Sequence, residues 1–165
     1  MKILQERMFD SLPELPKEEY NVNYELESCY TECFSDGATI GRNGKLGTVK
    51  EVGLGVYCPE LKIYYCAKAK GISNNEAEFM ALIRAMELLL ERGVIDAKFY
   101  MDSKIIETRA NRPFIKKMKP KHRNERMDNF QREVLELAEK FNSINFEWIP
   151  REQNTVADEL SNQAK

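Results

Sequence analysis

Two glutamates stand two positions apart in ISNNEAEF, residues 72–79, and they have different surroundings. The apolar run from Phe79 to Leu90 predicts a helix over 74–92, with Gly93 as its stop. At about 100° per residue, Glu76 shares an arc with Arg84, Glu87 and Glu91, and it lies three residues after Ser73 in the spacing of a capping box. Glu78 falls on the stripe of Leu82, Ala85 and Leu89, which must pack inward. A buried carboxylate costs several kcal/mol unless it is protonated, paired with a cation or bound to a metal, so Glu78 needs a partner. The ordinary partner is a nearby Lys or Arg. Three aspartates offer another kind of site: Asp36 in SDGA, Asp102 in MDS and Asp158 in QNTVADEL. Each also has a local explanation, as a turn former, a helix-start residue or a helix-dipole partner. Four carboxylates in one crevice would raise each other's pKa unless divalent cations neutralised them. Oxygen-only ligands favour Mg²⁺ or Mn²⁺ over zinc, and two such ions about 3.5–4 Å apart can activate a water and stabilise the leaving oxygen of a phosphodiester.

The elements that would carry these acids follow from the pattern of the chain. CYTECFSDGAT (29–39), VGLGVYC (52–58) and LKIYYCAKA (61–69) read as three strands joined by short connections, hence an antiparallel meander. After the long helix, AKFYMDS (97–103) is a strand ending on Asp102, followed by a short helix from Ser103, which is placed to cap it. An amphipathic helix is expected over about 124–142, INFEWIP (144–150) as a further strand, and a last helix from an N-capping Asn154. Later strands joined by helical crossovers make a mixed sheet and an α/β class. In such sheets a crevice forms beyond the strand ends, where connections leave in opposite directions. There Asp36 and Asp102 would meet, with Gly37 letting a backbone or a ligand come close.

The 165 residues suit one domain, and 42% apolar with 32% charged residues describes a globular chain. No segment approaches the ~20 apolar residues of a membrane span, and the first twenty residues lack the apolar core of a secretory signal. A cytoplasmic location with no membrane partner is therefore expected. Cys29, Cys33, Cys58 and Cys66 lack zinc-site spacing and read as reduced, packed thiols. Residues 1–27, broken by Pro13 and Pro16, read as an acidic extension. From Arg109 to Arg126 there are eight basic residues against one acid, leaving 17 basic and 26 acidic elsewhere. This lobe is either a solvated turn, as Pro113 and Pro120 suggest, or a surface for a phosphodiester backbone.

SDGA, S-N-N-x-x-E, MDS and N-x-x-x-D, in this order, resemble the carboxylate set of type 1 ribonuclease H, and NNEAE with WIPREQNTVAD is similar to its plant-like and archaeal branch, which also occurs beside reverse transcriptases. The likeness covers roughly residues 29–164. It implies a five-stranded mixed sheet, three antiparallel strands then two parallel, flanked by helices, within a catalytic domain of residues 28–165. It also implies Mg²⁺-dependent cleavage of the RNA strand of RNA–DNA hybrids, with Mn²⁺ a possible substitute, leaving 5′-phosphate and 3′-hydroxyl ends. Asp36 would bridge two ions, Asp158 would help hold the one that activates water, and Glu78 and Asp102 would hold the other. Substrate contacts would fall to Gly37, Ser73, Asn74, Asn75 and Arg151, and to Lys116, Lys117, Lys119, Lys121 and Arg123 of the basic segment. The resemblance would set Asn74 and Asn75 against the hybrid's backbone and minor groove, where 2′-hydroxyls distinguish RNA from DNA. A monomer is expected.

The chain departs from many relatives in one loop. Where they carry a histidine before the last helix, it has Arg151, Glu152 and Gln153, and its one histidine, His122, lies in the basic segment. Three other readings stay open: a fold relative that cuts another nucleic acid, a catalytically silent nucleic-acid-binding module, and a structural domain with a salt-bridged Glu78.

Overall fold

The computed structural model describes residues 3–10, 30–40, 48–111 and 125–164. Among them are six strands: β1 (Ile3–Met8), β2 (Thr31–Thr39), β3 (Lys50–Cys58), β4 (Ile63–Gly71), β5 (Asp96–Met101) and β6 (Ser143–Trp148). Four α-helices accompany them: α1 (Asn74–Glu91), α2 (Lys104–Asn111), α3 (Glu125–Ala138) and α4 (Thr155–Gln163). The sheet order is β1-β4-β3-β2-β5-β6. Pairing is antiparallel from β1 through β2 and parallel for β2–β5 and β5–β6. The mixed α/β sheet is therefore as expected, but it has six strands rather than five.

The additional strand is ILQERM, within the stretch read as an extension. It pairs with β4 from Ile3 opposite Ala69 to Met8 opposite Tyr65. Most of its side chains are exposed, so it carries little of the apolar alternation that marks a strand in sequence. It is fastened from its own side chains. Tyr65 Oη donates to Glu6 Oε2 at 2.8 Å, and Arg84 of α1 reaches the same carboxylate at 3.5 Å.

The core lies between one sheet face and α1. Leu54, Val56, Ala67 and Phe99 from the strands meet Phe79, Leu82, Ile83, Met86 and Leu89 from the helix, all fully or almost fully buried. Helix α4 covers part of the opposite face, and two glycines set both approaches. In the β2–β3 register Gly37 pairs with Leu54 and Asp36 with Gly55, so Gly37 and Gly55 look out from opposite faces. A Cβ on Gly37 would run into the Ala77 carbonyl and the Glu78 amide, and one on Gly55 would strike the Ala157 carbonyl. Bare backbone at these positions lets α1 and α4 sit directly on the strand pair that carries Asp36.

The cysteines Cys33, Cys58 and Cys66 are buried and free, as expected for packed thiols, while Cys29 lies outside the described residues; burial pushes the Cys58 thiol up to about 11. No helix among the described residues is long and apolar enough to cross a membrane.

Candidate active site

Three of the four acids singled out in the sequence converge. Carboxylate oxygens of Asp36, Glu78 and Asp102 all lie within 4.8 Å of one another. They come from the middle of β2, the first turns of α1 and the residue after β5. Parallel pairing of β2 with β5, Phe34 opposite Tyr100, brings Asp36 and Asp102 to matching heights. Glu78 arrives because Ser73 starts α1 beside Gly37. The Ser73 hydroxyl accepts the Glu76 amide at 3.3 Å.

Both glutamates of ISNNEAEF are buried, Glu76 to 2% and Glu78 to 8% exposure, although Glu76 shares its arc with Arg84, Glu87 and Glu91. Glu76 is the one with the salt bridge. Arg126, at the start of α3, donates to it through Nε at 3.0 Å and Nη2 at 2.9 Å. Glu76 Oε1 also accepts the Ile72 amide at 3.3 Å, one residue earlier than a capping box requires. Glu78 has no cation partner among the described residues, and its Oε2 is buried without a hydrogen bond. The salt bridge that the sequence left open for Glu78 is made by Glu76 instead.

The electrostatics follow from this crowding. Burial raises the Glu78 pKa well above its ordinary value, and repulsion by Asp36 and then Asp102 adds to it. Asp36 is raised chiefly by burial, against hydrogen bonds from Glu78 and Ser161. Asp102 is raised by burial, opposed first by the Asn154 amide. Such a group of desolvated acids takes up either protons or cations. The unpartnered Glu78 oxygen and the all-oxygen donor set fit a hard divalent cation held by Asp36, Glu78 and Asp102.

Asp158 stands outside the three-acid group. It lies in the first turn of α4, and its Oδ1 accepts Nη2 of Arg151 at 3.3 Å. Arg151 belongs to the 3-10 turn Arg151–Gln153 just before the helix. Asn154, expected to cap α4, makes no side-chain cap bond. Its Nδ2 instead donates to the Ser35 carbonyl at 2.9 Å and approaches Asp102 Oδ2 at 3.5 Å, tying the helix start to β2 and to the end of β5.

Several site residues escaped the sequence reading. Ser161 Oγ lies 2.8 Å from Asp36 Oδ2 and 2.7 Å from the Asp158 carbonyl, so its single proton serves either acceptor. A hydroxyl three residues after Asp158, on the buried side of a helix, was the available signal. Trp148 Nε1 donates to the Asp102 carbonyl at 3.0 Å, and Lys104 Nζ sits 4.4 Å from the indole centroid.

Of the expected substrate contacts, Gly37 is packed under α1. Asn74 uses Oδ1 to accept both the Thr39 amide at 2.9 Å and the Thr39 hydroxyl at 3.0 Å, pinning the end of β2. Asn75 is half-buried beside it. Lys116, Lys117, Lys119, Lys121 and Arg123 lie outside the described residues, as does His122. The basic lobe's two outer members are committed elsewhere: Arg109 pairs with Asp128 at 3.4 Å, and Arg126 with Glu76.

Residues 59–164 match the reverse transcriptase-like family. The bifunctional protein Rv2228c of Mycobacterium tuberculosis is 36% identical over 93 residues, which are 56% of this chain and 24% of that relative. The chain therefore spans about a quarter of the length of this curated relative. The solved N-terminal RNase H domain of Rv2228c is similar with a TM-score of 0.60 and 28% identity, over 81% of this chain and 93% of that one. LC11-RNase H1, solved in complex with an RNA/DNA hybrid, has a TM-score of 0.53 and 27% identity, over 81% of this chain and 94% of that one.

Proposed function

The chain belongs to the type 1 ribonuclease H family, in its reverse transcriptase-like branch, and from that premise we propose that it is a divalent-metal-dependent endonuclease acting on the RNA strand of RNA–DNA hybrids. Cleavage would leave 5′-phosphate and 3′-hydroxyl ends. One observation carries the reading: three carboxylates from distant parts of the chain lie within 4.8 Å of one another, and a buried oxygen of Glu78 has no partner. Among the described residues no salt bridge involves Glu78, and Arg126 is paired with Glu76 instead.

Asp36, Glu78 and Asp102 would hold the cations, with Asp158 as the fourth ligand, and Mg²⁺ suits an all-carboxylate set. Cations bound there would supply positive charge to the phosphodiester and lower the pKa of the attacking water. The protein's own contribution is positional. Ser161 and Asn154 orient Asp36 and Asp102 by hydrogen bonds. The Ser73 hydroxyl, which accepts from Glu76, keeps its proton to donate to a backbone phosphate at the start of α1. Asn74 and Asn75 would face the minor groove, where the 2′-hydroxyl distinguishes the strands. The lysines between 116 and 121 would contribute phosphate contacts.

The test is a panel of end-labelled RNA–DNA hybrid, duplex RNA and duplex DNA, with and without Mg²⁺. Cleavage of the RNA strand of the hybrid only when Mg²⁺ is present is expected; cutting of DNA alone would defeat the proposal. Asp102→Asn should lower cleavage by more than about 100-fold. Hybrid binding in Ca²⁺ should persist in that variant, as followed by fluorescence anisotropy.

A further inference from the structure

Arg151 is the one cation paired with any of the four acids among the described residues, and the acid it holds is the one outside the group. Its Nη2 meets Asp158 Oδ1 at 3.3 Å, with side-chain exposures of 78% for Arg151 and 29% for Asp158. Asp158 is nevertheless near enough to act on Asp36 and Asp102 through its charge, and Arg151 in turn feels Asp158 first, then Asp36 and Asp102.

We propose that Arg151 is a resident counter-ion for Asp158, which a divalent cation must displace before this fourth carboxylate can join Asp36, Glu78 and Asp102. The inference rests on the metal-site reading above. Its geometry suits an exchange. The contact is a single, long hydrogen bond rather than a two-pronged guanidinium–carboxylate clasp. An exposed pair of this kind contributes little and is easily broken. Arg151 lies in the 3-10 turn and Asp158 in the first turn of α4, so rotation of the two side chains suffices and no backbone element has to move. Once released, the planar guanidinium is well suited to take a phosphate oxygen pair. One positive group thus quiets the acidic site while it lacks metal and is passed on to the nucleic-acid backbone when metal arrives.

The experiment is a titration of Mn²⁺ into the full chain without nucleic acid, followed by the electron paramagnetic resonance signal of free Mn²⁺, on wild type, Arg151→Gln, Asp158→Asn and the double variant. Thermal melts without metal check that each variant is folded. Arg151→Gln is expected to tighten Mn²⁺ binding about two- to five-fold, the range an exposed ion pair spans. The same change in the Asp158→Asn background is expected to give no gain. Unchanged or weaker binding by Arg151→Gln would overturn the counter-ion role while leaving the metal site intact. An equal gain in both backgrounds would overturn it too, because Arg151 would then act only as a distant charge. Absence of Mn²⁺ binding by every protein, including wild type, would instead remove the metal-site reading and this proposal with it.

Discussion

Glu78 presses against Asp36 in a buried space, and its folded-state pKa is raised for that reason, with burial the largest cause. A raised carboxyl pKa means that the folded chain holds a proton the unfolded chain has released. The stability this lends is complete below the unfolded value near 4.5 and is lost as pH climbs through the folded one. Metal-free protein should therefore melt at a progressively lower temperature as pH is raised from the unfolded value toward the folded one. Glu78→Gln should raise the pH 8 melting temperature by a few degrees, corresponding to roughly 1 kcal/mol, flatten the pH dependence and abolish Mg²⁺-dependent cleavage. Calorimetric scans with EDTA and with Mg²⁺ check all three, and a Gln variant that melts lower would indicate a structural Glu78. The odd position of Glu78 was legible from helical period alone, because an acid on an apolar stripe violates the pattern. That of Glu76 was not. Its partner Arg126 lies 50 residues away, on another helix, and no local period reports a tertiary ion pair.

Among elements, the approach of α1 to β2 decides where Glu78 ends up, and Gly37 permits it. Gly37→Ala would drive a methyl group into the Ala77 carbonyl and the Glu78 amide. A loss of about 1–3 kcal/mol is expected, and cleavage should fall further than stability because the carboxylate moves with its helix. Urea melts combined with cleavage rates below the transition separate the two effects. Glu76→Gln should cost roughly 1–3 kcal/mol, because it removes the charge and turns one of the two oxygens that accept from Arg126 into an amide donor, again read from urea melts. The strands other than β1 and the long helices were readable from alternation and from the 3.6-residue repeat, to within a few residues at each end. The role of Asn154 was misread: sequence placed an asparagine at a helix start, where capping is the common use, whereas its amide is drawn to Ser35 and Asp102 from other strands.

For the whole molecule, β1 is the part that sequence concealed. A six-residue, largely exposed segment lacks the buried alternation that betrays a strand; it is held by backbone pairing to β4 and by Glu6 meeting Tyr65 and Arg84. Removal of residues 1–9 should uncover the β4 edge, lower the melting temperature and produce concentration-dependent association, measured by light scattering after size exclusion. The order in which the chain lays down its acids has another implication. Asp36 is made early, Glu78 and Asp102 follow, and α4, which brings Asp158 and the Ser161 hydroxyl against Gly55 and Asp36, comes last. A polypeptide whose α4, Thr155–Gln163, has not yet folded would thus carry a nearly complete sheet with an unfinished centre, without Asp158 and the Ser161 hydroxyl beside Asp36.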